Sequence, residues 1–176
     1  MSKLLQWNIL FKVVGVLVIA GLFALLLTNI KQQSKINTTS PTLLSQKASV
    51  DYEASFGIFT HGAFRVFTAA MYHNQSPDVF IQADNPNIIH VKKTAIAWND
   101  FFKTLPFKLT KDCLVTGTGE KFCTGFGGTL QFFLNGVKDD GLLDKTIQKG
   151  DRALITFGNE NEEQVLKQFQ KIPPIK

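Results

Sequence analysis

The sequence is poor in the side chains that carry most chemistry: 176 residues hold two cysteines, three histidines and two arginines. Cys113 and Cys123 lie too far apart to form a C-x-x-C pair, so the adjacent-turn spacing of thiol redox motifs is missing. Two cysteines with scattered histidines also fall short of the roughly four ligands of a structural zinc site. Ser, His and Asp all occur, but no G-x-S-x-G elbow presents a serine nucleophile. Gly117–Gly119 and the segment 125–128 are glycine-rich, yet no Lys-Ser/Thr follows either, which excludes a P-loop and leaves turns. Arg65 and Arg152 are the only guanidinium groups, and no basic run exceeds Lys92-Lys93. The net charge of +5 falls to +3 once Lys3 and Lys12 of the N-terminal segment are set aside. A nucleic-acid partner is therefore not expected.

What the chain does have is one long apolar run. Every residue from Val13 to Leu27 is apolar or Gly, and Lys12 is the only charge between Ile9 and Ile30. About 20 residues at about 1.5 Å rise cross a hydrocarbon core of roughly 30 Å. Residues 9–30 are accordingly expected to form a transmembrane helix, with Val13, Leu17, Leu22 and Leu27 in the lipid and residues 1–8 as a short cytoplasmic tail. The Lys12 stem can snorkel to the headgroups, and Trp7 falls at the interface. A cleaved signal peptide is the rival reading, but no small-x-small site follows the run, and Pro41 spoils the Thr38-Thr39-Ser40 site. The flanking lysines, Lys3 and Lys12 against Lys31 and Lys35, nearly balance. A short N-terminal tail usually stays in the cytoplasm, which places the C-terminal part outside. The expected partners are the lipid bilayer and another envelope protein.

Residues 31–55 are rich in Ser, Thr, Gln and Asn and are read as a flexible linker. The sequons at Asn37 and Asn74 matter only if the host glycosylates that face. The remainder, 56–176, is one domain by size. Phe64–Phe67 alternates as a half-buried strand does. Asp78–Ile81 and Asn87–Val91 form a hairpin around the turn formers Asp84–Asn87. Trp98, Phe101, Phe102 and Leu105 share one face of a short helix over 97–105 that Pro106 ends. Strands are expected at 108–115, 129–134, 142–147 and 153–157, with a tight turn at Asn135-Gly136. Asn159 or Asn161 caps a last helix, with Val165, Leu166, Phe169 and Ile172 on its apolar side. The order implies an α+β fold with a mixed, β-grasp-like sheet, one central short helix and a C-terminal helix.

The blocks Thr129–Gly136 (TLQFFLNG), Ile147–Asp151 (IQKGD) and Ala153–Glu163 (ALITFGNENEE) resemble an uncharacterised family of single-span, membrane-anchored proteins of archaea and candidate-phylum bacteria. Those proteins read roughly "TLKFYVNGK … DGDKILISYGNENE". His61–Phe67, Asp84–Val91 and Ala97–Leu105 are similar to upstream blocks of the same family, and Cys113 and Cys123 match a recurring cysteine pair. The resemblance covers most of 56–172. It implies a fold and a membrane location but no established activity. Relatives often carry further histidines around the positions of His61 and His90; this chain keeps only those two.

The simplest reading of Cys113 and Cys123 is a structural disulfide closing a Gly-containing hairpin, with buried free thiols and a redox pair as the other two. A zinc or copper site using His61, His90 and Asp84 is weighed against ordinary strand and turn histidines. His73 is expected in an exposed loop. The many phenylalanines build the core or part of a binding groove. The function expected is that of a membrane-tethered extracytoplasmic binding domain, non-catalytic and without a cofactor. Its alternatives are a cell-surface zinc or copper protein and a thiol-disulfide enzyme.

Overall fold

The computed structural model describes residues 49–125 and 127–175. The expected tail 1–8, the membrane helix with Val13, Leu17, Leu22 and Leu27, and most of the linker lie outside the described residues. Among the described residues, no helix is long and apolar enough to cross a membrane.

The fold is mixed α+β, with two sheets and few helices among the described residues. Its first strand, β1 (Ser49–Thr60), starts earlier than the sequence reading placed the domain, so the boundary expected at residue 55 falls inside it. Val50, Tyr52 and Ala54 turn toward the core while Asp51 faces solvent, a period of two that marks a half-buried strand. Tyr52 Oη donates to the Ile147 carbonyl at 2.8 Å. From Ala54 to Thr60 every residue of β1 is buried. That continuous burial reflects its parallel partner, β10 (Arg152–Gly158), with Phe56 opposite Ala153 and Phe59 opposite Thr156. A parallel pair in a sheet covered on both faces selects near-continuous apolar runs, as in Ala153–Phe157.

A tight turn at His61-Gly62 leads into β2 (Ala63–Phe64), which folds back on β1. The expected strand 64–67 shrinks to this short piece. Beyond Phe64 the chain leaves the sheet to drop Phe67 into the core while Val66 stays 65% exposed. β3 (Val79–Phe80) and β4 (Ile88–Lys93) form the expected antiparallel hairpin, with Phe80 opposite His90. Helix α1 (Trp98–Phe102) follows. Its Trp98, Phe101 and Phe102, with Leu105 just beyond it, are all buried as their spacing predicts. Asp100 accepts from the Ala97 amide at 3.0 Å and closes the first turn.

The strand expected at 108–115 is two strands, β5 (Lys108–Leu109) and β6 (Cys113–Val115), because Thr110 Oγ1 accepts from the Cys113 amide at 3.1 Å and turns the chain. With β7 (Lys121–Cys123) they make a small three-stranded sheet. β8 (Thr129–Leu134) and β9 (Val137–Lys138) are joined by Asn135-Gly136, whose φ values of 53° and 84° are those of a two-residue hairpin turn. Residues 142–147, expected as a strand, instead hold a 3-10 turn at Leu142–Asp144. Leu142 and Leu143 are adjacent and both buried, which an alternating strand edge cannot achieve. Helix α2 (Glu162–Gln170) is capped as expected by Asn161, which accepts from the Gln164 amide at 3.0 Å. Val165, Phe169 and Ile172 pack inward, but Leu166 lies off their stripe and is 55% exposed.

The main sheet runs β3-β4-β1-β10-β8-β9, with β2 on β1. One face carries the principal core, in which the Phe56 ring lies 5.1 Å from Phe67 and 5.2 Å from Phe101. Each such buried side chain contributes roughly 1.5–3 kcal/mol. A second cluster, Phe59, Leu154 and Ile172, lies apart from it and is packed by Phe133 and Phe169. Arg152 fixes the end of α2: its Nη2 donates to the Phe169 carbonyl at 3.1 Å and to that of Ile172, and its guanidinium lies 4.3 Å over the Phe169 ring.

Candidate functional site

The candidate site is a cleft of about 680 Å³ between the β1–β2 end of the main sheet and the β6–β7 hairpin. Its walls come from segments distant in sequence. Ile58 and Thr60 end β1, Phe64–Phe67 follow the His61-Gly62 turn, Met71 and Tyr72 lie on a 3-10 turn, and Leu114–Phe122 form the hairpin. Gly117 sets how closely that hairpin approaches: a Cβ there would lie 2.8 Å from the Pro106 carbonyl oxygen. The floor is buried Ile58, Phe67 and Leu114, and the rim includes Val66 and Met71, the latter 53% exposed. Aromatic edges line the interior. Tyr72 meets the Phe67 ring edge-on at 5.2 Å, and Phe122 meets Phe157 at 5.5 Å. A concave, mostly apolar site with a few placed polar groups is the usual form of a small-molecule pocket, and its size lies within the range for such pockets.

The polar groups are few and specific. Arg65 Nε donates to Thr60 Oγ1 at 2.7 Å, and the guanidinium carbon lies 4.9 Å over the Phe122 ring. Glu120 faces it loosely, with Oε2 at 3.6 Å from Nη1. Thr116 and Thr118 share a hydroxyl–hydroxyl bond of 2.9 Å.

His61 sits on the rim in a left-handed turn with φ 49° and packs edge-on against Phe157 at 5.1 Å. It also borders a second, polar cleft of about 460 Å³ beside α2, where Glu160 accepts from the Gly62 amide at 3.0 Å. The residues weighed as a metal site are placed apart. Antiparallel pairing puts His90 opposite Glu53, eight residues along β1 from His61. At about 3.3 Å per residue that is about 26 Å of extended chain. His90 Nδ1 lies 3.4 Å from Glu53 Oε1, and its ring stacks on Phe80 at 5.2 Å. Asp84 is exposed in the loop before β4, where its carboxylate accepts from the Asn85 amide group at 3.3 Å. Among the described residues, no three His, Cys, Asp or Glu side chains gather in a way that could hold a metal ion. His73 is not the free loop residue expected: it is half-buried, and its Nε2 lies 2.9 Å from the Phe67 carbonyl oxygen.

Cys113 and Cys123 are directly opposite each other on β6 and β7, with Cα atoms 4.1 Å apart and sulfurs at disulfide distance. They stand on the hairpin that forms one wall of the cleft. Away from the cleft, a hydrogen bond from Lys92 holds the exposed Asp51 carboxyl below its ordinary value. Burial, and then the Asp151 carboxylate, push the Tyr52 phenol up.

Sequence reasoning did not find the cleft, although Arg65 lay in plain view as one of only two arginines, inside the alternating Phe64–Phe67 block. No family model, curated protein or solved structure matches the chain.

Proposed function

We propose that this chain is a membrane-tethered, extracytoplasmic binding module whose ligand occupies the cleft between β2 and the β6–β7 hairpin. The observation that carries the reading is the cleft itself: a concave site of about 680 Å³ with a buried apolar floor, aromatic edges and two large apolar residues left exposed at its mouth. Exposed apolar surface around a groove is commonly a ligand site. The tether rests on the apolar run 13–27 and the outward orientation on the short N-terminal tail. The domain is read as β-grasp-like, supported by a sheet in which antiparallel β4-β1 and β10-β8 pairs flank the parallel β1-β10 pair, with α1 falling between β4 and β8 in the chain. Membership of the resembled family is part of the same proposal and rests on its ordered sequence blocks.

The reading is tested by saturation-transfer NMR on the full chain with a neutral apolar probe, 2-naphthaleneethanol. Transfer to the probe that weakens in Val66→Asp supports it. Transfer that is absent, or equal in the variant, counts against it. Stoichiometric zinc lost on His61→Ala or His90→Ala would favour the metal-binding alternative instead.

A further inference from the structure

We infer that the cleft selects small monocarboxylates with an apolar, ring-bearing body, and that Arg65 is the residue that recognises the carboxylate. The inference rests on the binding reading above and names its ligand class.

Arg65 is half-anchored. Its Nε is committed to Thr60 Oγ1 at 2.7 Å, and its face is committed to the Phe122 ring at 4.9 Å. Its backbone amide is tied to the Ile58 carbonyl at 2.8 Å. These contacts fix the plane and direction of the guanidinium. Its two Nη atoms are different: among the described residues no hydrogen bond reaches them. Glu120 stands 3.6 Å from Nη1, beyond hydrogen-bond reach, and its side chain is 57% exposed. An ion pair that open to water contributes little and is easily exchanged. A guanidinium with its Nε fixed and both Nη atoms unspent is the geometry that grips a carboxylate, and such charge-assisted bonds are about twice as strong as neutral ones.

The surroundings set the rest of the ligand. A carboxylate on the Arg65 Nη atoms would place the body of the molecule against Phe67, Tyr72 and Phe122, whose rings favour flat apolar groups. Glu120 then acts as a stand-in for the ligand carboxylate, held near Arg65 and displaced on binding. A cationic ligand is disfavoured by Arg65, and a neutral one offers the Nη donors only a weaker, uncharged acceptor.

The test uses the full chain labelled with ¹³C at the methionine methyl groups. Only Met1 and Met71 carry label, and Met71 lines the cleft. Three probes of matched body are titrated under one set of solvent conditions: 2-naphthylacetate, 2-naphthaleneethanol and 2-(2-naphthyl)ethylammonium. The expected result is a saturable shift of the Met71 signal with the acid binding about tenfold or more tighter than the alcohol. Arg65→Gln then weakens the acid far more than the alcohol and closes the gap between them, and a Met71 shift that the alcohol still saturates shows that the cleft is intact. Glu120→Gln tightens the acid by removing its competitor, and this arm decides the matter if Arg65→Gln disturbs the fold. Equal binding of acid and alcohol, or tightest binding of the amine, overturns the carboxylate inference while leaving the cleft as a binding site. A Met71 signal that none of the three probes moves overturns the binding reading as well.

Discussion

Gly57 lies in the buried second half of β1, and its missing side chain leaves room for the segment that follows α2. A Cβ at this position would lie 2.8 Å from Ile172 Cγ1, 3.0 Å from Phe64 Cε2 and 3.3 Å from Ile172 Cδ1. Ile172 has nowhere to retreat, because it is fully buried and its carbonyl is held by Arg152. Gly57→Ala therefore overpacks the second cluster, at a cost of about 1–3 kcal/mol. The usual gain on replacing a strand glycine, roughly 0.5–1 kcal/mol, offsets part of it. Ile172→Ala alone leaves a cavity and costs about 2–5 kcal/mol. In the double variant the new methyl occupies space that Ile172 vacated, so the combined cost falls below the sum of the two by about 1 kcal/mol or more. Urea unfolding of the full chain is the assay, in a Trp7→Phe background. That leaves fully buried Trp98 as the sole indole reporter of the two tryptophans. Additivity within about 0.5 kcal/mol would refute the packing of the C-terminal segment on Gly57. A stabilising Gly57→Ala would refute it outright.

Three further outcomes are expected. Asn161→Ala removes the α2 cap and lowers stability by about 1 kcal/mol, read as a lower urea midpoint, whereas Asn159→Ala at the neighbouring exposed position leaves the midpoint within error. A hydrogen bond from Lys145 holds the Asp139 carboxyl below its ordinary value of 3.8. A lowered folded pKa adds stability above the unfolded value that is lost as pH falls through the folded one. The Tm gap between the parent chain and Asp139→Asn should thus be present at pH 7 and close on acidification below about 4. Replacing Cys113 and Cys123 together by Ser opens a loop with a sequence separation of 10 and costs about 2.5–3 kcal/mol by the chain-entropy relation. The same urea titration checks it, and a parent chain that shows no change with reductant would contradict it.

The parts of the fold legible in the sequence were those fixed by near neighbours. Asn135-Gly136 specifies its turn by backbone preference alone, and Asn161 with Gln164 specifies the start of α2 through reciprocal bonds within one turn. Trp98, Phe101, Phe102 and Leu105 announced their shared face by spacing. The start of β1 was legible too, in the alternation of Val50, Tyr52 and Ala54, but the polar composition around it masked the period. Leu142–Ile147 misled because a run of apolar residues does not say whether it is buried by alternation or by a 3-10 turn. The cleft was beyond local reading. Thr60, Arg65, Met71 and Phe122 meet only because β1 is central to the sheet and the β6–β7 hairpin folds back over its end. The histidines illustrate the same limit in reverse: His61 and His90 each fall in a separate block of the resemblance, and strand register carries them to distant positions.

The central claim, an outward-facing cleft that takes up a ligand, is tested most directly by labelling Met71→Cys in intact cells with a membrane-impermeant maleimide. The account predicts labelling from outside without permeabilisation, at a rate that 2-naphthylacetate slows. Labelling only after the cells are opened would contradict the orientation, a rate indifferent to the acid alone would contradict the carboxylate inference, and a rate indifferent to the acid, the alcohol and the amine alike would contradict the cleft.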